Sequence, residues 1–164
     1  ALEVELVEHS QREHALKHAL STAAFDYILI DCPPALSLLT VNALTAAHSL
    51  LIPVQAEYYA LEGLGQLLDV VQRVRQGLNP NLELLGVLMT MYDSRTTLSE
   101  QVKKEVQQHF GGKVFDTVVP RNVRLAEAPS YGKPISEHDR WSKGAKAYKQ
   151  VAKEVHKRAG GKKS

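Results

Sequence analysis

The sequence predicts an α/β fold with a mostly parallel sheet flanked by helices. Three observations carry this reading. Residues 27–31, 49–54, 84–91 and 114–119 are short apolar runs without the strict alternation of a half-wetted sheet, so they read as strands buried on both faces. Helical patterns separate the runs, and parallel strands need such long crossovers. Prolines stand at or just after three of the runs (Pro33, Pro53 and Pro120), where a strand must leave its sheet.

The elements follow in order. Ser10-Gln11-Arg12-Glu13 matches a capping box and opens a helix to about Ser21. The strand 27–31 comes next, then the Pro33-Pro34 loop and a helix over 38–47. After the strand 49–54, Leu61, Leu64, Leu67, Leu68, Val71, Val74 and Leu78 recur at three- and four-residue spacing. They form the buried stripe of a long helix stopped by Gly77 and Pro80. The strand 84–91 precedes a second capping box, Thr97-Leu98-Ser99-Glu100, whose helix buries Leu98, Val102, Val106 and Phe110 and ends at Gly111-Gly112. The strand 114–119 leads to a short helix near 122–126 and a loop over 129–141. Ser142 caps the last helix, with Tyr148, Val151, Ala152 and Val155 as its apolar stripe and Lys146, Lys149, Lys153 and Lys157 facing away.

A chain of 164 residues is long enough for one core, and no linker or repeat divides it. Residues 1–158 are expected to form the domain and 159–164 a disordered tail. Apolar residues at 44% and charged residues at 23% are ordinary for a soluble protein. No stretch approaches the roughly 20 apolar residues of a membrane span, and the amino end does not read as a signal peptide. Cys32 is the single cysteine, which excludes an intramolecular disulfide and fits a reducing compartment; it is expected to be a small buried filler. Charge is uneven. Residues 140–164 hold nine lysines and arginines against one acid, Glu154, whereas the preceding residues hold eleven basic and seventeen acidic side chains. That basic end suits a polyanion or, equally, a solvated helix.

Asp31 carries the most chemistry. It ends a buried strand just before two prolines, the position where open α/β sheets place their ligands. An acid there points to a nucleotide-hydrolysing fold that holds Mg²⁺, a hard cation preferring oxygen ligands. His9, His14 and His18 share a rough helical spacing without an acid or cysteine at ligand spacing, so they read as surface residues.

Three segments resemble, in order, the carboxyl-terminal part of the ParA/Soj family of chromosome- and plasmid-partitioning ATPases. They are Asp26-Tyr27-Ile28-Leu29-Ile30-Asp31-Cys32-Pro33-Pro34, Pro53-Val54-Gln55-Ala56-Glu57-Tyr58-Tyr59-Ala60-Leu61-Glu62-Gly63 and Val119-Pro120-Arg121-Asn122-Val123-Arg124-Leu125-Ala126-Glu127-Ala128-Pro129-Ser130. The resemblance covers nearly the whole chain. It implies a partial P-loop NTPase domain of the deviant Walker A, SIMIBI type. The family's glycine-rich loop has no counterpart: neither Gly111-Gly112 nor Gly160-Gly161 leads from a strand into a helix with Lys-Ser/Thr after it. The chain is therefore expected to be a truncated form that starts partway into the family domain.

The resemblance also implies roles. Asp31 is the Walker B aspartate, a catalytic residue and Mg²⁺ ligand, and Pro33 and Pro34 shape the loop beside the γ-phosphate. Pro120, Arg121 and Asn122 line the adenine pocket; a plain turn into a short helix is the alternative. Arg95, Arg124 and Lys133 contact DNA phosphates without base specificity. Tyr58, Tyr59 and Glu62 lie near a dimer interface or pack in the core. Asp139-Arg140-Trp141-Ser142-Lys143-Gly144 departs from the family pattern, which has Pro-Arg in place of Arg140-Trp141, and makes Trp141 a candidate partner contact.

The implied function is ATP-dependent partitioning by a cytoplasmic, nucleoid-associated protein. An ATP-bound homodimer, with ATP and Mg²⁺ as cofactors, binds double-stranded DNA non-specifically and does not bind membranes. A ParB/Spo0J-type centromere-binding partner stimulates hydrolysis. One alternative is a MinD-type membrane-associated division-site ATPase, but residues 156–164 lack the bulky apolar face such a helix needs. A nitrogenase iron-protein relative needs more cysteines than Cys32 to bridge a cluster. The last alternative is an inactive fragment or binding module.

Overall fold

A computed structural model describes residues 11–33, 35, 37–57 and 60–160. The architecture is α/β, with parallel strands flanked by helices. Two compact units are present: residues 1–50 with 64–84, and residues 51–63 with 85–164.

In the first unit, a 3-10 turn (Arg12–His14) runs into the short helix α1 (Ala15–Ala19), and α2 spans Leu38–Ala46. The predicted helix from Ser10 is thus only a short helical stretch. Its capping serine lies outside the described residues, and Gln11, at φ 62°, sits in the left-handed region. Ser37 caps α2, its side chain accepting from the Leu39 N–H. Asn42 ties the two helical pieces together: its Oδ1 accepts from Leu16 N at 3.1 Å and its Nδ2 donates to Arg12 O at 2.8 Å. Such pairing satisfies a side chain that is only 3% exposed. The long helix α3 spans Ala60–Gly77, and its residues Val70, Val71 and Val74 pack with Leu44, Leu78 and Leu82. Asn79 closes this core by donating to the α2-end carbonyls of Leu44 and Ala47, at 2.9 and 2.8 Å.

The predicted strand 27–31 is absent. The segment is extended but joins no strand ladder among the described residues, and Phe25, Tyr27, Ile28 and Leu29 are exposed. A strand is stabilised by its neighbours, and among the described residues none pairs with this segment as a strand. Cys32 is likewise exposed, not a buried filler.

The second unit holds most of β1 (Ser49–Gln55) and β2 (Glu83–Thr90), which pair with each other. The predicted fourth strand is reduced to two isolated parallel bridges, Val87–Val114 and Tyr92–Pro120. The reason is local. Phe115 N and Val119 N donate to β2 carbonyls, but the N–H groups of Asp116 and Thr117 between them donate to the Glu154 carboxylate, at 2.9 and 3.1 Å. That diversion interrupts the ladder. Gly86 permits the close approach of this segment to β2, since a Cβ there would stand 2.5 Å from the Lys113 carbonyl oxygen.

Helix α4 spans Thr97–Phe110, and its cap is Thr96, one residue before the predicted one. Leu98 is 41% exposed although the pattern buried it. Helix α5 (Val123–Glu127), a 3-10 turn (Ala128–Tyr131), α6 (Ile135–His138) and α7 (Lys143–Arg158) complete the unit. Ser142 caps α7 as predicted. The buried face of α7 differs from the prediction: Gly144, Ala145 and Val151 are buried, whereas Tyr148 and Ala152 are exposed. Val151 joins Leu88, Phe115 and Val119 in the core. Of the predicted tail, residues 161–164 lie outside the described residues.

Candidate functional site

Four arginines of the second unit, Arg95, Arg121, Arg124 and Arg158, pair with carboxylates. Arg95 forms a two-point pair with Asp93: Nε donates to Oδ1 at 2.9 Å and Nη2 to Oδ2 at 2.8 Å. The Arg95 N–H also donates to Oδ1, at 3.0 Å. The guanidinium side chain is 85% exposed and its acid only 20%. These bonds, the guanidinium's first and the N–H's second, hold the Asp93 carboxyl down at about 2. Asp93 belongs to the turn that starts α4: its N–H donates to Ser99 Oγ and its carbonyl accepts from Thr96 Oγ1.

Arg124 sits between two acids. Nη1 donates to Glu127 Oε2 at 2.9 Å, and Nε lies 3.5 Å from Asp139 Oδ2. The hydrogen bond from Arg124 holds the Glu127 carboxyl below its usual value. Asp139 is fixed in turn, because its Oδ1 accepts from the N–H groups of Trp141 and Ser142, at 3.2 and 3.1 Å. His138 Nε2 lies 3.6 Å from Glu127 Oε2, and its ring packs on Tyr131. Lys133 is exposed just after the 3-10 turn. Arg140 stacks on the exposed ring of Trp141, 4.8 Å from its centroid.

Pro120 bridges to Tyr92, and the Arg121 N–H donates to the Tyr92 carbonyl at 3.0 Å. The Arg121 guanidinium pairs with Glu57 at 3.0 Å. Asn122 caps α5, its Oδ1 accepting from Arg124 N at 3.1 Å. One loop therefore carries both the predicted base-pocket residues and the start of the helix that presents Arg124.

Asp31 and Pro33 lie in the first unit, exposed, in the extended segment; Pro34, Tyr58 and Tyr59 lie outside the described residues. No group of three or more His, Cys, Asp or Glu among the described residues could hold a metal ion. Asp31 is an exposed carboxylate at the end of the 27–31 segment.

Pattern reading found the cations and missed their acids, Asp93, Glu127, Asp139 and Glu57. Arg124-x-x-Glu127 is visible as helical spacing, and Asp93-x-Arg95 as a local turn. Asp139 and Glu57 are distant in sequence and leave no such signal. His14 and His18 stack with ring centroids 6.3 Å apart.

Residues 1–84 match the model of an AAA domain family. The chain is 51% identical over 158 residues to the chromosome partitioning protein ParA of Caulobacter vibrioides, covering 94% of this chain and 59% of that protein. It is 57% identical over 155 residues to the sporulation initiation inhibitor protein Soj of Bacillus subtilis, covering 93% and 61%. The chain belongs to the ParA/Soj family. It spans about three fifths of the length of these family members. Among solved structures, the cobyrinic acid a,c-diamide synthase of Mycobacterium smegmatis with bound ADP and magnesium is similar at 40% identity and TM-score 0.75, over 96% of this chain and 59% of that one. The cell division ATPase MinD of Pyrococcus furiosus is similar at 25% identity and TM-score 0.68, over 88% and 58%. These neighbours share the family's α/β P-loop NTPase fold.

Proposed function

We propose that this chain serves ATP-dependent DNA partitioning. In this reading it contributes a surface for double-stranded DNA that binds without sequence preference. The assembly that uses it is an ATP-bound dimer, switched off by hydrolysis that a ParB-type partner stimulates. Identity above half to ParA and Soj over more than nine tenths of the chain carries this reading. Arg95 and Lys133, on loops, and Arg124, on the short helix α5, support it from one unit, since guanidinium and ammonium groups meet phosphate oxygens with no base readout. Asp31 and Pro33, in the first unit, are assigned to Mg²⁺ and phosphate, and Pro120, Arg121 and Asn122, in the second, are assigned separately to the base. Bound ATP and Mg²⁺ would supply the switch. Asp31, a hard oxygen ligand, suits the metal through water, but the described residues supply no phosphate cradle beside it.

The test is fluorescence anisotropy with duplexes of unrelated sequence across a salt series, with ATP turnover measured in parallel. The expected result is similar affinity for each duplex, falling steeply with salt, and no ATP turnover by this chain alone. Salt-insensitive or sequence-selective binding refutes the DNA reading. Mg²⁺-dependent hydrolysis lost in Asp31→Ala refutes the reading of the nucleotide site as incomplete.

A further inference from the structure

Arg95 and Arg124 share a design that the DNA reading alone does not explain. Each is paired to an acid whose carboxylate is anchored by backbone N–H groups, Asp93 for Arg95 and Asp139 for Arg124. The Asp93 carboxylate accepts from the Arg95 N–H, and the Asp93 backbone is tied to Ser99 and Thr96. The Asp139 carboxylate accepts from two N–H groups at the start of α7, and Glu127 sits on the same helix as Arg124. A guanidinium that turns toward a phosphate therefore leaves a fixed negative charge behind it. That charge attracts the arginine back and repels the incoming anion.

We infer that Asp93, Glu127 and Asp139 are positioning residues that withhold Arg95 and Arg124 and release them only to a ligand of dense, repeating phosphate charge, a nucleic-acid duplex. The inference rests on the DNA reading and names what sets the affinity and selectivity of that surface. A lone phosphate offers at best a two-point pair in exchange for the two-point internal pair at 2.8–2.9 Å, so the exchange gains no hydrogen bond and leaves Asp93 uncompensated. A duplex offers several phosphates at once and gains from releasing its counterions, so the exchange becomes favourable. The lowered carboxyls of Asp93 and Glu127 agree with pairs formed at neutral pH.

Asp93→Asn and Asp139→Asn keep an oxygen for the N–H donors and remove only the charge, so both variants should fold; melting curves check this. Binding of a labelled duplex by the whole chain is measured in each variant, alone and combined with loss of its arginine. Asp93→Asn is expected to tighten binding by about two- to fivefold, the reach of an exposed pair. Arg95→Ala should weaken binding and abolish the gain from Asp93→Asn. Glu127→Gln and Asp139→Asn should behave likewise with Arg124→Ala. Glu105→Gln, at an exposed acid on α4, controls for net charge and should tighten binding less. An equal gain from Asp93→Asn with and without Arg95 overturns the inference and leaves the DNA reading intact. If neither Arg95→Ala nor Arg124→Ala weakens binding, both fall. Inorganic phosphate should compete poorly with the duplex for the native chain and better for Asp93→Asn; equal competition also overturns the inference.

Discussion

Replacing Arg158 by Met should destabilise the second unit far more than a surface arginine would. Its guanidinium donates to the carbonyls of Val114 at 2.7 Å, Lys113 at 3.2 Å, Gly112 at 3.3 Å and Leu85 at 3.4 Å. It also pairs with Glu154, Nη2 to Oε1 at 2.8 Å, and lies 4.2 Å over the Phe115 ring. Methionine keeps the apolar stem over that ring, so the change isolates the charge and the donors. What remains is a carboxylate only 12% exposed with no guanidinium, and four carbonyls that lose their donor. Breaking a fully buried pair costs about 3–5 kcal/mol, and the residual exposure here reduces that to about 2–4 kcal/mol. For a chain of this size the loss corresponds to roughly 5–15 °C in melting temperature. Urea unfolding of the native chain, Arg158→Met and the exposed-face control Lys149→Ala gives the comparison, with Lys149→Ala within about 0.5 kcal/mol of the native chain. A cost for Arg158→Met below about 1 kcal/mol, the value of a solvent-exposed pair, would refute the reasoning.

Two further outcomes follow from the same unit. Burial works to raise the Glu154 carboxyl, but the N–H groups of Asp116 and Thr117, the Thr117 side chain and Arg158 outweigh it and hold it below its usual value; Asp93 is held at about 2. Both carboxyls are thus more acidic folded than unfolded. The stability they contribute is complete above their unfolded values near 4 and is lost as pH falls through the folded ones. The melting temperature should drop between about pH 5 and pH 2, less so in Glu154→Gln, and a flat or rising profile contradicts this. In Gly86→Ala the new methyl would meet the Lys113 carbonyl at 2.5 Å and the Phe115 ring at 2.6 Å. Either the 113–115 segment moves or β2 does, at about 1–3 kcal/mol in urea unfolding, and a variant as stable as the native chain rejects that close packing.

Elements that periodicity defines by itself were legible in the sequence to within a residue or two. The long helix α3, the capped helices α4 and α7 and the strands β1 and β2 all appear where their patterns place them. The misses share one cause: each depends on a partner elsewhere in the chain. Residues 27–31 have the composition of a strand, but a strand is a relation between segments, and composition says nothing of the neighbour. Residues 114–119 lose their middle ladder bonds to Glu154, 37 to 38 positions away. On α7, the apolar count nominated Tyr148, which is 47% exposed, and passed over Arg158. The candidate site follows the same rule, since its cations announce themselves and the acids that restrain them do not.

That rule changes what the basic end of the chain means. Counted as formal charge, residues 140–164 form one polyanion-seeking block. In the structure their roles divide. Arg158 spends its charge inside the unit, and Arg140 lies against Trp141. Lys143, Lys146, Lys149, Lys153 and Lys157 are left exposed along α7. Lysine is a hydrated point charge on a flexible stem, suited to long-range attraction, whereas arginine's planar fork suits a fixed short contact. If the chain binds DNA as proposed, steering toward the polyanion would fall to the α7 lysines, and close contact to Arg95 and Arg124 under the restraint of their acids. Neutralising two of the α7 lysines should slow association and flatten its salt dependence, while Arg95→Ala should act on dissociation. An equal effect of both changes on the association rate would show that the division does not exist.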